Sequence, residues 1–214
     1  MKDILNAFRQ GRHEFENAHM EGFDWINPHG LFELWMTDAV EGKEFEPNAF
    51  VLSTVDSDNC PSSRVVYLKD IIDHQFIFYT NYNSNKGLDI AANENVSMLF
   101  FSPHSSRQIR IQGKCTKVDP AISDDYFNSR PRSSKIGAWA SNQSEVLSSR
   151  KELEDRVAYF ESKFKEEIPR PEHWGGYQIK PTRFEFWQGR PSRLHDRIVF
   201  VAAGDTWEIH RMNP

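Results

Sequence analysis

The sequence predicts a mainly β fold, one β-barrel-centred domain with peripheral α-helices, and three observations carry that reading. Aromatics make up 13% of the 214 residues, with sixteen phenylalanines and six tryptophans, an apolar content that suits strands. Residues 48–118 contain short β-branched or aromatic runs broken by Asp, Asn, Ser and Pro, the pattern of an antiparallel sheet or barrel. No internal repeat, low-complexity tract or linker long enough to separate two domains interrupts the chain.

The elements follow in order. "INPHGLFELWMTDAV" predicts a helix: Asn27 caps it, Pro28 suits the first turn, and Leu31, Leu34, Trp35 and Ala39 recur at helical spacing. Five strands are expected from "NAFVLSTVD", "SSRVVYLKD", "QFIFYTN", "VSMLFF" and "RQIRIQGKCTKV", the first two joined by a hairpin at "DSDNCP". "SNKGLDIAANEN" predicts a short helix capped by Ser84. A second helix is capped by Asp119, starts on Pro120 and ends at Pro131. Ser149 and Glu152 form a capping box ahead of a long helix with Leu153, Val157, Phe160 and Phe164 on one face. "IPRPEHWGG" breaks it, and "YQIKPTRFEFWQG" and "RIVFVAAGDTWEIHRMNP" supply two more strands, about seven in all by this pattern.

The formal net charge is −5, which gives no broad footprint for nucleic acid. Positive charge is local, at Arg64 to Lys69, Arg107 to Lys117, Arg130 to Lys135 and Arg190 to Arg197, a pattern better matched to small anions. No apolar run reaches the length of a membrane span, and charges come too early for a signal-peptide core, so a cytoplasmic protein is expected. Cys60 and Cys115 form no CxxC, which suits reduced thiols, and no HExxH suggests a metal. GxSxG, P-loop and GxGxxG patterns are absent as well.

Four constellations could carry chemistry. Tyr126 and Arg130, four apart, share a helix face and can converge on an anion, with Ser134 as a third donor; on spacing alone, an exposed helix end with a cation against the dipole is the better account. Arg64 and Lys69 fall on opposite faces of an unbroken strand, so either a bulge re-aims one or Lys69 lies beyond the strand end; both could instead be solvated edge charges. In "RQIRIQG", Ile109 and Ile111 face the core while Gln108, Arg110 and Gln112 face a ligand or water. In "RPSRLHDR", an extended chain would put Arg193, His195 and Arg197 on one face, with the cations favouring a neutral imidazole. An arginine-rich turn paired with Asp196 and nearby glutamates accounts for the same residues equally well.

Taken together, "SSRVVYLK", "FYTNYNSNKG", "RQIRIQGK", "YFNSRPRSSKIGAWASNQS", "HWGGYQIKP", "EFWQGRPSRLHDR" and the terminal "WEIHRMNP" resemble, in order and from about Pro28 onward, the pyridoxamine 5′-phosphate oxidase family. The resemblance implies an FMN-binding split β-barrel over residues 28–214, with a C-terminal dimerisation region and a lid or arm at 1–27. It implies a homodimer that oxidises pyridoxamine and pyridoxine 5′-phosphates to pyridoxal 5′-phosphate with dioxygen, releasing hydrogen peroxide and, from the amine, ammonia. FMN would be held by Arg64, Val65, Lys69, Tyr79, Thr80, Lys86 and Gln108 of one subunit and by Gln143, Ser144, Trp187 and Arg197 of the other. The substrate phosphate would meet Lys69, Tyr126, Arg130 and Ser134, and its ring the catalytic pair Arg193 and His195. Arg190 has no role in this scheme. Two departures stand out: Asn85 replaces an arginine before Lys86, and the lid's Arg-x-x-Tyr pattern is matched only by Arg12 and Phe15. An oxidase of another reduced heterocycle, of the phenazine-pathway type, and a non-catalytic flavin or vitamer carrier are the competing readings.

Overall fold

The computed structural model describes Met20 and residues 27–214, which form five α-helices and nine strands. Arg12 and Phe15 lie outside the described residues. The helices are α1 (Pro28–Glu41), α2 (Asn85–Ala92), α3 (Pro120–Ser129), α4 (Arg132–Ala140) and α5 (Arg150–Lys163). The strands are β1 (Ala49–Val55), β2 (Pro61–Tyr67), β3 (Asp70–Ile72), β4 (Gln75–Asn81), β5 (Asn95–Ser102), β6 (Arg107–Lys117), β7 (Trp174–Gln188), β8 (Asp196–Ala203) and β9 (Thr206–Arg211). By contacts the chain divides into a larger unit, Asn48–Met98 with Gln112–Thr182, and a smaller one containing the described residues up to Pro47, Leu99–Ile111 and Arg183–Pro214.

In the larger unit the strand order is β2-β1-β5-β6-β7-β4-β3. The β1/β2 hairpin pairs antiparallel from Ala49↔Tyr67 to Val55↔Pro61, and Asn59 takes the left-handed conformation at its tip (φ 61°). Alternation along β1 buries Phe50, Leu52 and Thr54, and Phe78 packs between Phe50 and Tyr177 at 6.1 and 5.5 Å. A second apolar cluster, Phe127, Ile136, Ile168 and Trp174, takes Val157, Phe160 and Phe164 from the α5 side. The capping box is half realised: Ser149 Oγ accepts from Glu152 N, while the Glu152 carboxylate accepts from Ser148.

The smaller unit pairs the end of β7 with β8, and β8 with β9 through the turn at Gly204. The last sequence run is therefore a hairpin, and with the three-residue β3 it raises the expected seven strands to nine. Asn27 caps α1 as expected, its Oδ1 accepting from His29 N. Leu31, Trp35 and Ala39 are buried, but Leu34 is 40% exposed, a third of a turn off the buried stripe. Phe32 meets Phe100, and Trp35 meets Phe186, at 5.3 and 5.2 Å edge to face. Among the described residues no helix is long and apolar enough to cross a membrane.

Candidate active site

A cleft of about 790 Å³ opens in the larger unit. Arg64, Val65, Lys69, Tyr79, Thr80, Lys86, Tyr126, Arg130, Ser134, Gln143 and Ser144, the larger-unit residues that the resemblance assigns to FMN or to the substrate phosphate, line it, together with Asn85 and Trp174, whereas Gln112 does not. Among the described residues its lining holds four cations, Arg64, Lys69, Lys86 and Arg130, and no carboxylate.

β2 presents Arg64, whose NH1 donates to Thr54 Oγ1 (2.7 Å) and Leu52 O (3.3 Å) and whose NH2 donates to Ser62 Oγ (2.5 Å). Behind it lies buried Asp89, 3.7 Å from NH2 and accepting from Thr54 Oγ1 at 2.6 Å. β2 ends at Tyr67, so Lys69 sits beyond the strand, its N donating to Ile77 O; the five-residue spacing is resolved by the strand end and not by a bulge.

Lys86 opens α2 and is buried; its Nζ donates to Thr80 Oγ1, Ser84 Oγ and Gln143 Oε1 at 3.0–3.3 Å. Burial and then Arg64 push its pKa down to about 8, with Asp89 opposing. Ser84 occupies the N-cap position but does not cap: its hydroxyl donates to Asn81 O and accepts from Lys86, so the ammonium claims the oxygen the helix would have used. Gln143 and Ser144, which the resemblance supplies from a second subunit, lie in this chain's own cleft. The loop after α4 brings Gln143 to Lys86 and Thr80, and Ser144 Oγ accepts from Asn85 N.

The opposite wall is aromatic. Tyr79 pairs with Gly176 across β4/β7, where a Cβ would stand 2.9 Å from the Tyr79 ring, so the glycine lets the ring lie against the strand. Tyr79 stacks on Tyr126 at 3.8 Å and on Trp174 at 5.6 Å. Burial, then Asp70, raise the Tyr79 pKa to about 12, which keeps its phenol protonated. α3 stops at Ser129, so Arg130 is its extended C-cap rather than part of the Tyr126 face, the following proline having ended the helix. Its guanidinium lies 4.4 Å over the Trp174 ring, and NH1 is buried without a hydrogen-bond partner. Burial also depresses its pKa.

The smaller unit carries Gln108, Trp187, Arg193, His195 and Arg197. Ile109 and Ile111 are buried on β6, and Gln108 falls on the opposite, half-buried face, as alternation requires. Arg193, His195 and Arg197 do not form one extended row. Pro191–Arg193 is a 3₁₀ turn with Ser192 and Arg193 at φ 58° and 62°, and β8 begins only at Asp196. Proline fixes the entry to that turn and the Asp196 carboxylate closes it, accepting from Arg190 (3.1 Å) and Arg211 (2.8 Å). Arg190 thus has a structural role: its backbone N–H also donates to His195 Nδ1 (3.1 Å). An Nδ1 that accepts leaves the imidazole proton on Nε2. Burial, and then Arg193, lower the His195 pKa, so the neutral form is favoured as expected, with desolvation the larger cause. Its ring centroid is 4.6 Å from that of Trp187, which pairs with Arg197 across β7/β8.

Sequence reasoning missed Glu185, Asp89 and Trp174. Glu185 had a signal: it is a carboxylate on the side of β7 opposite Phe184 and Phe186, within a segment rich in arginine.

The family model described as pyridoxamine 5′-phosphate oxidase matches residues 36–164, and that of the pyridoxine 5′-phosphate oxidase C-terminal dimerisation region matches residues 174–214. The chain belongs to the pyridoxamine 5′-phosphate oxidase family. The pyridoxine/pyridoxamine 5′-phosphate oxidase of Cytophaga hutchinsonii is 50% identical over 95% of this chain and 96% of its own. That of Cupriavidus necator is 51% identical over 88% and 89%. In structure the chain is similar to PhzG from Burkholderia lata, solved in complex with tetrahydrophenazine-1-carboxylic acid: TM-score 0.87 and 28% identity over 94% of this chain and all of that one. The family fold is the split β-barrel expected from the sequence motifs. Membership makes the chain an oxidoreductase of vitamin B6 metabolism.

Proposed function

We propose that this chain, as a homodimer, oxidises pyridoxamine 5′-phosphate and pyridoxine 5′-phosphate to pyridoxal 5′-phosphate with FMN as the flavin and dioxygen as the final acceptor. The observation that carries the reading is the cleft with four cations and no lining carboxylate, in which Arg130 holds a buried, unpaired NH1. Burying such a donor unpaired costs free energy, which an anionic ligand offsets.

The residues present fit two phosphate-bearing, ring-containing partners. At one end Arg64 and Lys86 are cations fixed by hydroxyls, suited to the FMN phosphate, with Val65, Tyr79, Thr80, Gln143 and Ser144 lining the same cleft; Gln108 is assigned to the flavin by the family motif. At the other, Lys69, Tyr126, Arg130 and Ser134 offer ammonium, phenol, guanidinium and hydroxyl donors to the substrate phosphate. Trp187 and Arg197 bear on the flavin from the second subunit. Arg193 and His195 meet the pyridine ring, His195 as a neutral imidazole protonated on Nε2. FMN, when bound, supplies the hydride acceptor, and dioxygen then restores it with release of hydrogen peroxide. The protein's part is to hold the carbon bearing the amine or hydroxyl in a fixed orientation, through the phosphate clamp at one end and the arginine at the ring.

Mixing the FMN-loaded protein anaerobically with pyridoxamine 5′-phosphate tests the proposal. The flavin absorbance is expected to bleach, then recover on admitting air, with pyridoxal 5′-phosphate formed. A flavin that stays oxidised overturns it and favours the heterocycle chemistry of the PhzG relative.

A further inference from the structure

β7 buries a carboxylate that no part of the proposed reaction uses. The Glu185 side chain is 2% exposed and is shared by three arginines. Oε1 accepts from Arg110 NH1 (3.2 Å) and from Arg197 Nε (2.9 Å), with Arg197 NH2 in ion-pair contact at 2.8 Å, while Oε2 accepts from Arg183 NH2 (3.0 Å). Burial alone would raise the Glu185 pKa, but hydrogen bonds from Arg197 and Arg183 outweigh it and hold the group ionised. The other side of Arg197 is held by the C-terminal tail: NH1 donates to Asn213 O (3.0 Å), and Met212 N donates to Arg197 O (2.9 Å).

A guanidinium has five N–H donors in one plane. Among the described residues Arg197 donates from Nε and from NH1, and its NH2 lies in ion-pair contact with Glu185. Donor capacity therefore remains on NH1 and NH2 beyond the partners found among the described residues. We propose that Glu185, assisted by the Asn213 carbonyl, is the positioning residue that fixes the plane and direction of Arg197 for a polar edge of the flavin. Arg183 and Arg110 pair with the other sides of the carboxylate and neutralise it, but the direction of Arg197 is set by Glu185 itself. The inference rests on the reading of Arg197 as a flavin residue.

A double-mutant cycle on FMN affinity, measured by flavin fluorescence on the full chain, tests it. Glu185→Gln is expected to weaken FMN binding about tenfold, the loss of one charge-assisted hydrogen bond. In an Arg197→Met background the same change is expected to add no more than about twofold, because the group it positions is gone. Arg110→Ala, which breaks a Glu185 ion pair without touching Arg197, is expected to leave FMN affinity within about twofold. If Arg197→Met weakens FMN binding but Glu185→Gln does not, or weakens it equally in both backgrounds, the positioning role is overturned while the reading of Arg197 stands. An Arg197→Met protein that binds FMN like the parent overturns that reading, and the inference with it. Should Glu185→Gln not fold, Glu185→Asp, which keeps the charge and withdraws it by one methylene, takes its place in the cycle with the same criteria.

Discussion

The cleft of the larger unit and the arginine-rich end of the smaller unit are both cationic, yet their charges are neutralised in different ways. In the smaller unit Arg107 pairs with Asp38, Arg190 and Arg211 with Asp196, and Arg110, Arg183 and Arg197 with Glu185. Among the described residues the cleft lining holds four cations and no carboxylate; Asp89 touches Arg64 from behind at 3.7 Å, and Arg130 NH1 finds no acceptor. Most cations of the smaller unit carry their own counter-charges, Arg197 included, whereas Lys69, Lys86 and Arg130 in the cleft have no ion-pair partner among the described residues. Arg193 is informative on this count. Of the three arginines between Arg190 and Arg197 in the turn and the start of β8, it alone has no carboxylate partner among the described residues, which suits a side chain assigned to substrate.

The largest effect that would break this contrast concerns Arg130. Arg130→Met is expected to lower kcat/KM for the phosphorylated substrate by about 100-fold, the worth of a charged clamp of roughly 1.5–3 kcal/mol. Its melting temperature is expected to hold or rise, because the change removes a buried unpaired donor while Met still covers Trp174. Steady-state kinetics and thermal melts on the same preparation check both halves; a large loss of stability would place Arg130 with the structural arginines.

Lys86 gives a pH test of intermediate size. With its pKa at about 8 in the ligand-free protein, the ammonium needed for an anion is lost as pH rises through that value. FMN affinity is expected to fall about fivefold between pH 8 and 9, and Lys86→Met is expected to weaken binding and flatten this dependence. The sign for stability is opposite. A lysine whose folded pKa lies below its unfolded value disfavours the folded state while protonated, so the ligand-free protein is expected to gain stability from pH 8 toward 10.5. FMN titrations and melts across pH 7–10 follow both.

A smaller change is expected for Tyr126→Phe, which keeps the 3.8 Å stack on Tyr79 and removes one neutral donor: KM for the phosphorylated substrate rises about threefold to tenfold. Smallest of all, Arg183→Ala should leave that KM within about twofold, since the arginine is matched to Glu185 and not to the cleft. A larger KM effect from Arg183 than from Tyr126 would reverse the comparison.

Much of the fold was legible because alternation and capping speak locally. β1, β5 and β6 alternate as their apolar periods require, β2 and β4 fall on their β-branched and aromatic runs, and Asn27, Asp119 and Ser149 accept from the backbone N–H groups expected of caps. What escaped depends on tertiary context. α4 begins with Arg132, Ser133, Ser134 and Lys135, a polar turn without period, and is held by Ile136 and Ala140 one turn apart. β3 is three residues long. "RPSRLHDR" alternates like a strand but lacks the glycine that would have announced Ser192 and Arg193 in the left-handed region. In the cleft, the family motifs named eleven of the lining residues, while Trp174 under Arg130 and Asp89 behind Arg64 come from elements distant in sequence and were given no role. Gln143 joined Lys86 through a loop whose composition alone says nothing.

The central claim is that the unneutralised cations of the cleft serve phosphate. The most direct measurement is the ratio of kcat/KM for pyridoxamine 5′-phosphate to that for pyridoxamine, in the parent and in Arg130→Met. The account predicts a preference of about 100-fold or more in the parent that shrinks by about tenfold or more in the variant. An equal preference in both proteins, or none in the parent, would contradict it.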